Sequence, residues 1–256
     1  MKTFRFALLV TLFSFLFIGL TQAQDKAQNQ AYTIHEDNIK PSMVMEYEQL
    51  AKEFKELMEQ YNVSDADYLA VSTDEFVYSY VSPIDNMADL DKSFMAGITD
   101  QAAKDKLMNI FSRMDKCYDT HGNHILILDN ELSYMPDGMS QTQEGMDYRT
   151  YYRYYYTPEN YDKLVESAKA IKSFYAEKGS ERHFRVYRSG FGVSDAYFLV
   201  AVSAKDEIHN AQKSKEDIQL LGSERNKYLG EIFKYTSRFE VTNGWIRRDL
   251  SYMSSK

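Results

Sequence analysis

The stretch Leu132-Ser133-Tyr134-Met135 recurs as Leu250-Ser251-Tyr252-Met253, 118 residues further on, with an acid before each copy, Glu131 and Asp249. A tetrapeptide can recur by chance in a chain with 21 Tyr and 12 Met. The surroundings recur with it. Lys40-Pro41 meets Thr157-Pro158 at an offset of 117, and each Pro opens a helical pattern. Through EYEQLAKEFKELMEQY the apolar residues Met45, Leu50, Phe54, Leu57 and Met58 fall at helical spacing. Through NYDKLVESAKAIKSFYAEKG, Tyr161, Leu164, Val165, Ala168, Ile171 and Phe174 do the same, and Gly179 follows as a stop.

Strand patterns flank both helices. AYTIHE and DYRTYYRYYY precede them; ADYLAVS with EFVYSYVS, and RHFRVYRS with DAYFLVAVS, follow them as hairpins rich in Tyr, Phe and Val. Polar helical stretches are expected over about 84–118 and 205–239. HGNHILILDNELSYM and TNGWIRRDLSYM then close each half as a last strand, each entered through a Gly-Asn or Asn-Gly turn. Each half therefore reads β-α-β-β-α-β, the split βαβ pattern of a ferredoxin-like unit. The fold class is α+β: two tandem units, 30–135 and 147–254, joined by a linker over 136–146. A four-stranded sheet with helices on one face has to cover the other. The two units do this by packing sheet to sheet.

In element order, over about residues 30–254, the chain resembles the dimeric α/β-barrel superfamily. That superfamily includes antibiotic-biosynthesis monooxygenase-like, NIPSNAP-like and chlorite-dismutase-like proteins. The resemblance implies a fused barrel. It leaves activity open between enzymes, haem binders and proteins of no known activity. Chlorite-dismutase-like members hold haem through a His in the second unit, which points here to His209 as the alternative to no cofactor.

Lys2 and Arg5, the apolar run Phe6–Leu20 and the small residues before Gln24 read as a signal peptide cleaved near Ala23. The expectation is an exported protein, periplasmic or secreted, with no membrane attachment after cleavage. Cys117 is the lone cysteine, so no internal disulfide can form and core burial must supply stability. Residues 24–142 carry 9 Lys and Arg against 22 Asp and Glu, net −13; residues 143–256 carry 19 against 16, net +3. Outside the leader, Arg113 is the sole arginine of the first half, against nine in the second. A net charge of −8 without a basic run argues against nucleic acid as a partner.

No motif fixes a reaction: G-x-S-x-G, the phosphate-binding loop, the dinucleotide fingerprint and H-E-x-x-H are absent. His121 and His124 form H-x-x-H without a third ligand nearby, so no metal is assigned. Strand alternation places Arg149, Arg153 and Tyr155 on one face with His183, Arg185, Tyr187, Trp245 and Arg247. Two readings of that face stay open. It is a pocket for a small anionic or aromatic molecule, because Arg forks carboxylate or phosphate and Tyr or Trp stack; or its arginines pair with the acidic first half. The function expected is binding of such a ligand, or of a protein partner, between or beside the two sheets. The alternative is a barrel-type monooxygenase or haem-dependent enzyme.

Overall fold

The computed structural model describes residues 29–64, 66–140 and 142–254. The expected signal peptide lies outside the described residues. The first half supplies strands β1 (Gln30–Ile39), β2 (Leu69–Thr73), β3 (Val77–Ile84) and β4 (Tyr118–Tyr134), with helices α1 (Val44–Tyr61) and α2 (Gln101–Met114). The second supplies β5 (Tyr148–Tyr155), β6 (Phe184–Ser189), β7 (Tyr197–Ala204) and β8 (Arg238–Ile246), with α3 (Tyr161–Glu177), α4 (Glu207–Leu221) and α5 (Arg225–Lys234). Pro41 and Pro158 each open a three-residue 3-10 turn leading into the first helix of its half, where a missing N–H costs nothing. Asp100 and Asp206 cap α2 and α4, each accepting a backbone N–H three residues on.

The strands form one closed antiparallel barrel in the order β1-β3-β2-β8-β5-β7-β6-β4. Within it both halves run fourth-first-third-second: β4-β1-β3-β2, then β8-β5-β7-β6. The sheets are thus continuous, hydrogen-bonded at two seams, β2 with β8 and β4 with β6. Closure removes every free sheet edge. At the first seam Gly244 sits opposite Thr73. A Cβ there would come within 2.6 Å of the Ser72 carbonyl oxygen, so the strands could not approach as they do.

The repeated tetrapeptide lies at these seams. In the first copy the β4–β6 register breaks between Asp129 and Tyr134. Ser133 Oγ bridges the break, donating to the Asp129 carbonyl at 2.7 Å and accepting the Val186 N–H at 2.9 Å. In the second, Ser251 Oγ donates to the Arg247 carbonyl at 2.7 Å and accepts the Ala70 N–H at 2.9 Å. The tyrosines repeat the pattern: Tyr134 donates to the Ser180 carbonyl at 2.7 Å, Tyr252 to the Val63 carbonyl at 3.1 Å. Each tetrapeptide therefore enters the other half. Leu250 and Tyr252 are buried in the first half's helix–sheet core, Leu132 and Tyr134 in the second's.

Several expectations need correction. The second copy is not in a strand: β8 ends at Ile246, and Tyr252 makes only an isolated bridge to Tyr68 after a turn. Gly122-Asn123 and Asn243-Gly244 lie inside β4 and β8 rather than at turns before them. Over 84–118 only Gln101–Met114 is α-helical. Over 205–239 the helix breaks at Gly222, whose φ of 62° is left-handed, and β8 has already begun at Arg238. Met45, expected on the buried face of α1, is 89% exposed, while Tyr47 is fully buried. Among the described residues no helix is long and apolar enough to cross a membrane.

Candidate functional site

Alternation within the barrel strands decides what faces inward. Arg149, Tyr151, Arg185 and Tyr187 line an interior cavity of about 80 Å³ together with Tyr32 and Leu199. Small-molecule sites are several times larger; this space suits ordered water or a small ion. Arg149 and Arg185 are each 3% exposed. Arg149 donates to the Tyr148 carbonyl at 3.0 Å and to the Met146 carbonyl. Arg185 donates to the Ser140 carbonyl and to Ser203 Oγ, both at 2.6 Å. Burial, and then the neighbouring Arg185 charge, push the Arg149 guanidinium down to about 10. His183 reaches Asp137 at 3.1 Å. Arg149, His183 and Arg185 thus tether the 136–146 linker, which carries Asp137, Ser140 and Met146.

The other expected site residues lie elsewhere. Arg153 donates to Thr242 Oγ1 at 3.2 Å, and Tyr155 to Glu240 at 2.8 Å beneath the Arg238 guanidinium. Trp245 and Arg247, expected on the barrel face, are not there: Ile246 takes the interior place. Trp245 packs edge-on against Tyr148, ring centroids 5.4 Å apart. Arg247, just past the end of β8, pairs with Glu48 of α1 and with Asp249. Alternation holds through β8, but Ile246 faces the interior and not the helices, so Trp245 faces outward; Arg247 lies past the strand's end. For Arg247 the intramolecular reading of the Arg asymmetry holds: its partner Glu48 comes from the acidic half.

The larger space lies in the second half, between the outer face of its sheet and its helices. It is a cavity of about 250 Å³. Tyr152 and Tyr154 of β5 and Phe239 of β8 form one wall, Ala168, Ile171 and Tyr175 of α3 another, and Arg225 of α5 reaches it. Tyr154 and Phe239 are directly opposed across the β5–β8 ladder, with ring centroids 4.9 Å apart. Among the described residues the Tyr152 and Tyr154 hydroxyls have no hydrogen-bond partner, and Arg225 makes no ion pair. Arg182 is engaged: it bonds Asn210 at 2.8 Å and lies 3.7 Å from Asp217, whose other oxygen accepts from Ser180 at 2.7 Å. Burial first, then Tyr152, raises the Tyr154 phenol. Burial and Asp217 raise Tyr175 while Arg225 opposes them. These phenols therefore stay protonated donors at neutral pH.

A haem held by histidine does not fit this donor set. The lining contains no His, Cys or Met. His209 is not part of it: on the first turn of α4, its backbone N–H donates to Asp206 and its Nδ1 accepts from the Lys205 N–H at 3.3 Å. Nor do His121 and His124 act together. Three residues apart on β4, they point to opposite faces. His124 faces the interior, 3.9 Å from Glu36 and 3.5 Å from the Tyr197 hydroxyl, and burial lowers its pKa.

The sequence reading missed Tyr152, Tyr154 and Arg225. The other face of DYRTYYRYYY is as Tyr-rich as the one chosen, so a wall on both sides was legible there. Arg225 became a lining residue only through the helix break at Gly222.

No protein-family model matches this sequence, and no curated protein matches it. Solved structures do. An anthrone oxidase-like protein superposes with a TM-score of 0.56 at 11% identity, covering 87% of this chain and 93% of that one. A candidate monooxygenase from Fusobacterium nucleatum subsp. nucleatum ATCC 25586 gives 0.51 at 11%, covering 86% and 93%. A chlorite dismutase variant from Candidatus Nitrospira defluvii gives 0.51 at 10%, covering 86% and 92%. The fold is that of the dimeric α/β-barrel proteins. At these identities the likeness is one of fold alone.

Proposed function

We propose that this chain binds a small, flat, largely apolar molecule carrying one anionic group, in the cavity between the second half's sheet and helices. The observation that carries this reading is the cavity of about 250 Å³, walled by aromatic rings and reached by Arg225. The rings supply stacking surface. Arg225 supplies a forked donor for carboxylate, sulfonate or phosphate. The Tyr152 and Tyr154 hydroxyls supply further donors. The ligand sits beside a sheet, in the helix layer, rather than between the two halves.

Titration with anilinonaphthalene sulfonate, an apolar anion, tests this. One saturable site is expected. Ala168→Trp, which fills the cavity, should abolish it. Arg225→Ala should weaken it by roughly ten- to a hundredfold, the scale of a hydrogen-bonded charge. Unchanged binding in Ala168→Trp would refute the assignment.

We also read the protein as exported after cleavage near Ala23, and its halves as copies of one ancestral unit. The twin Ser133 and Ser251 bridges support the second point; amino-terminal sequencing of the mature protein tests the first. A second reading is a barrel-type monooxygenase or haem-dependent enzyme. It is supported by the candidate monooxygenase, the anthrone oxidase-like protein and the chlorite dismutase among the fold neighbours. A Soret band on haem titration would replace the binding-only reading.

A further inference from the structure

The outer face of the β1–β4 pair holds a cluster that the sheet register creates. Asp37 of β1 is directly opposite His121 of β4, and His35 is opposite Asn123. His35 and Asp37, two residues apart on one strand, share that face with His121. One ligand-type atom from each lies within 4.8 Å of the others. His35 Nε2 is 3.2 Å from Asp37 Oδ1, and His121 Nδ1 is 3.9 Å from the same oxygen.

The partners of these groups fix their orientation. Tyr47 of α1 donates to Asp37 Oδ2 at 2.5 Å. Asp37 is 3% exposed, yet its Oδ1 is fully buried with no hydrogen-bond partner. His35 Nδ1 is 3.0 Å from Asn123 Oδ1; with the amide oxygen turned to the ring, Nδ1 carries the hydrogen. That leaves the Nε2 lone pair of the neutral ring aimed at Asp37 Oδ1. Two acceptors facing each other at 3.2 Å repel unless a cation stands between them. A proton would answer for His35 alone. It would not account for a third donor, His121, converging on the same oxygen with its ring held by stacking on Tyr118, centroids 5.1 Å apart.

We propose that His35, Asp37 and His121 bind a divalent transition-metal ion of the zinc class. Two imidazole nitrogens and one carboxylate oxygen are the donor set such ions take, with a fourth position left for water. Donors about 2.0–2.1 Å from zinc in a tetrahedron stand roughly 3.3 Å apart. The His35–Asp37 edge of 3.2 Å already matches. The 3.9 Å edge closes with a small rotation of the His121 side chain, which is 56% exposed and can turn within its stack on Tyr118. The same exposure opens the fourth position to solvent. Tyr47 on the carboxylate and Asn123 on the imidazole are the outer partners that metal-bound Asp and His require.

The test is zinc binding by the untagged, chelator-stripped protein, read by isothermal titration and by metal content after dialysis. The proposal expects one equivalent of Zn²⁺ in the wild type. It expects a loss of affinity of more than about tenfold in His121→Ala. Because His121 is exposed, that variant should fold normally. His183→Ala, on a histidine outside the cluster, should bind as the wild type does. Cobalt in place of zinc should give visible ligand-field bands that His35→Ala removes. If the wild type takes up no zinc, a proton alone fills the gap and the proposal fails. It fails equally if His121→Ala binds zinc as tightly as the wild type.

Discussion

The two halves share strand order, helix placement and seam chemistry, yet they fill the space under their helices differently. Under α1 the packing is complete: Tyr47, Leu50, Ala51, Leu57 and Met58 are all buried. Under α3 only Leu164 and Phe174 are buried, and a cavity of about 250 Å³ remains. Aligned at the offset of 117, Tyr47 becomes Leu164 and Leu50 becomes Ser167. Ser167 turns its hydroxyl back to the Lys163 carbonyl at 2.8 Å instead of entering the core. One large group shrinks and another leaves the second interface. The sheet beneath differs in step. His35, Asp37 and His121 of the first half correspond to Tyr152, Tyr154 and Phe239 of the second, in the same ladder positions. A polar cluster held by Tyr47 and an aromatic wall beside a void are thus two solutions at one place in the fold.

The largest expected effect uses the tetrapeptide leucines. Leu250→Ala opens a hole in the filled core, Leu132→Ala one beside an existing cavity. Urea unfolding should place Leu250→Ala near the top of the range of about 2–5 kcal/mol and Leu132→Ala near the bottom. Equal costs would mean that the second interface packs as tightly as the first.

Ala51 and Ala168 are equivalent, so the same enlargement should have opposite signs. Ala51→Leu overfills and should destabilise by about 1–3 kcal/mol. Ala168→Leu fills the void and should stabilise by about 0.5–2 kcal/mol. Thermal melts of both variants decide the matter.

The seam serines should behave alike. Ser133→Ala and Ser251→Ala each strip the acceptor from a strand N–H, that of Val186 or Ala70, at a cost of about 1–3 kcal/mol. A cost confined to one of them would break the symmetry of the seams.

The smallest effect concerns pH. The Arg247 hydrogen bond, helped by the one from Tyr78, holds the Glu48 carboxyl below its ordinary value, against burial. A depressed folded-state value contributes stability above the unfolded carboxylate value, about 4.3, that is lost as pH falls through the folded value. Glu48→Gln should therefore remove about 1 kcal/mol or less near neutrality and flatten the acid limb of the stability curve below about pH 4.

Local pattern made most of the fold legible. Pro41 and Pro158 mark helix entries, Gly179 marks an exit, and Tyr-, Val- and Phe-rich runs mark the hairpin strands, while the true starts of β4 and β8 went unmarked. Alternation placed Arg149, Arg153, Arg185 and Tyr187 on the barrel face. It failed at Trp245 because Ile246 faces the interior and not the helices, and at Arg247 because β8 ends at Ile246.

By itself, then, the sequence determined the element types, their twofold repetition and the tetrapeptide that marks each seam. Periods of two and 3.6 residues and the backbone limits of Pro and Gly act within a few positions. Tertiary structure alone decided that Asp37 meets His121 across 84 residues, and that Arg185 reaches the linker at Ser140. It also decided that the open space lies under α3. Register and cavity volume depend on how distant strands close on one another, and no local period encodes that closure.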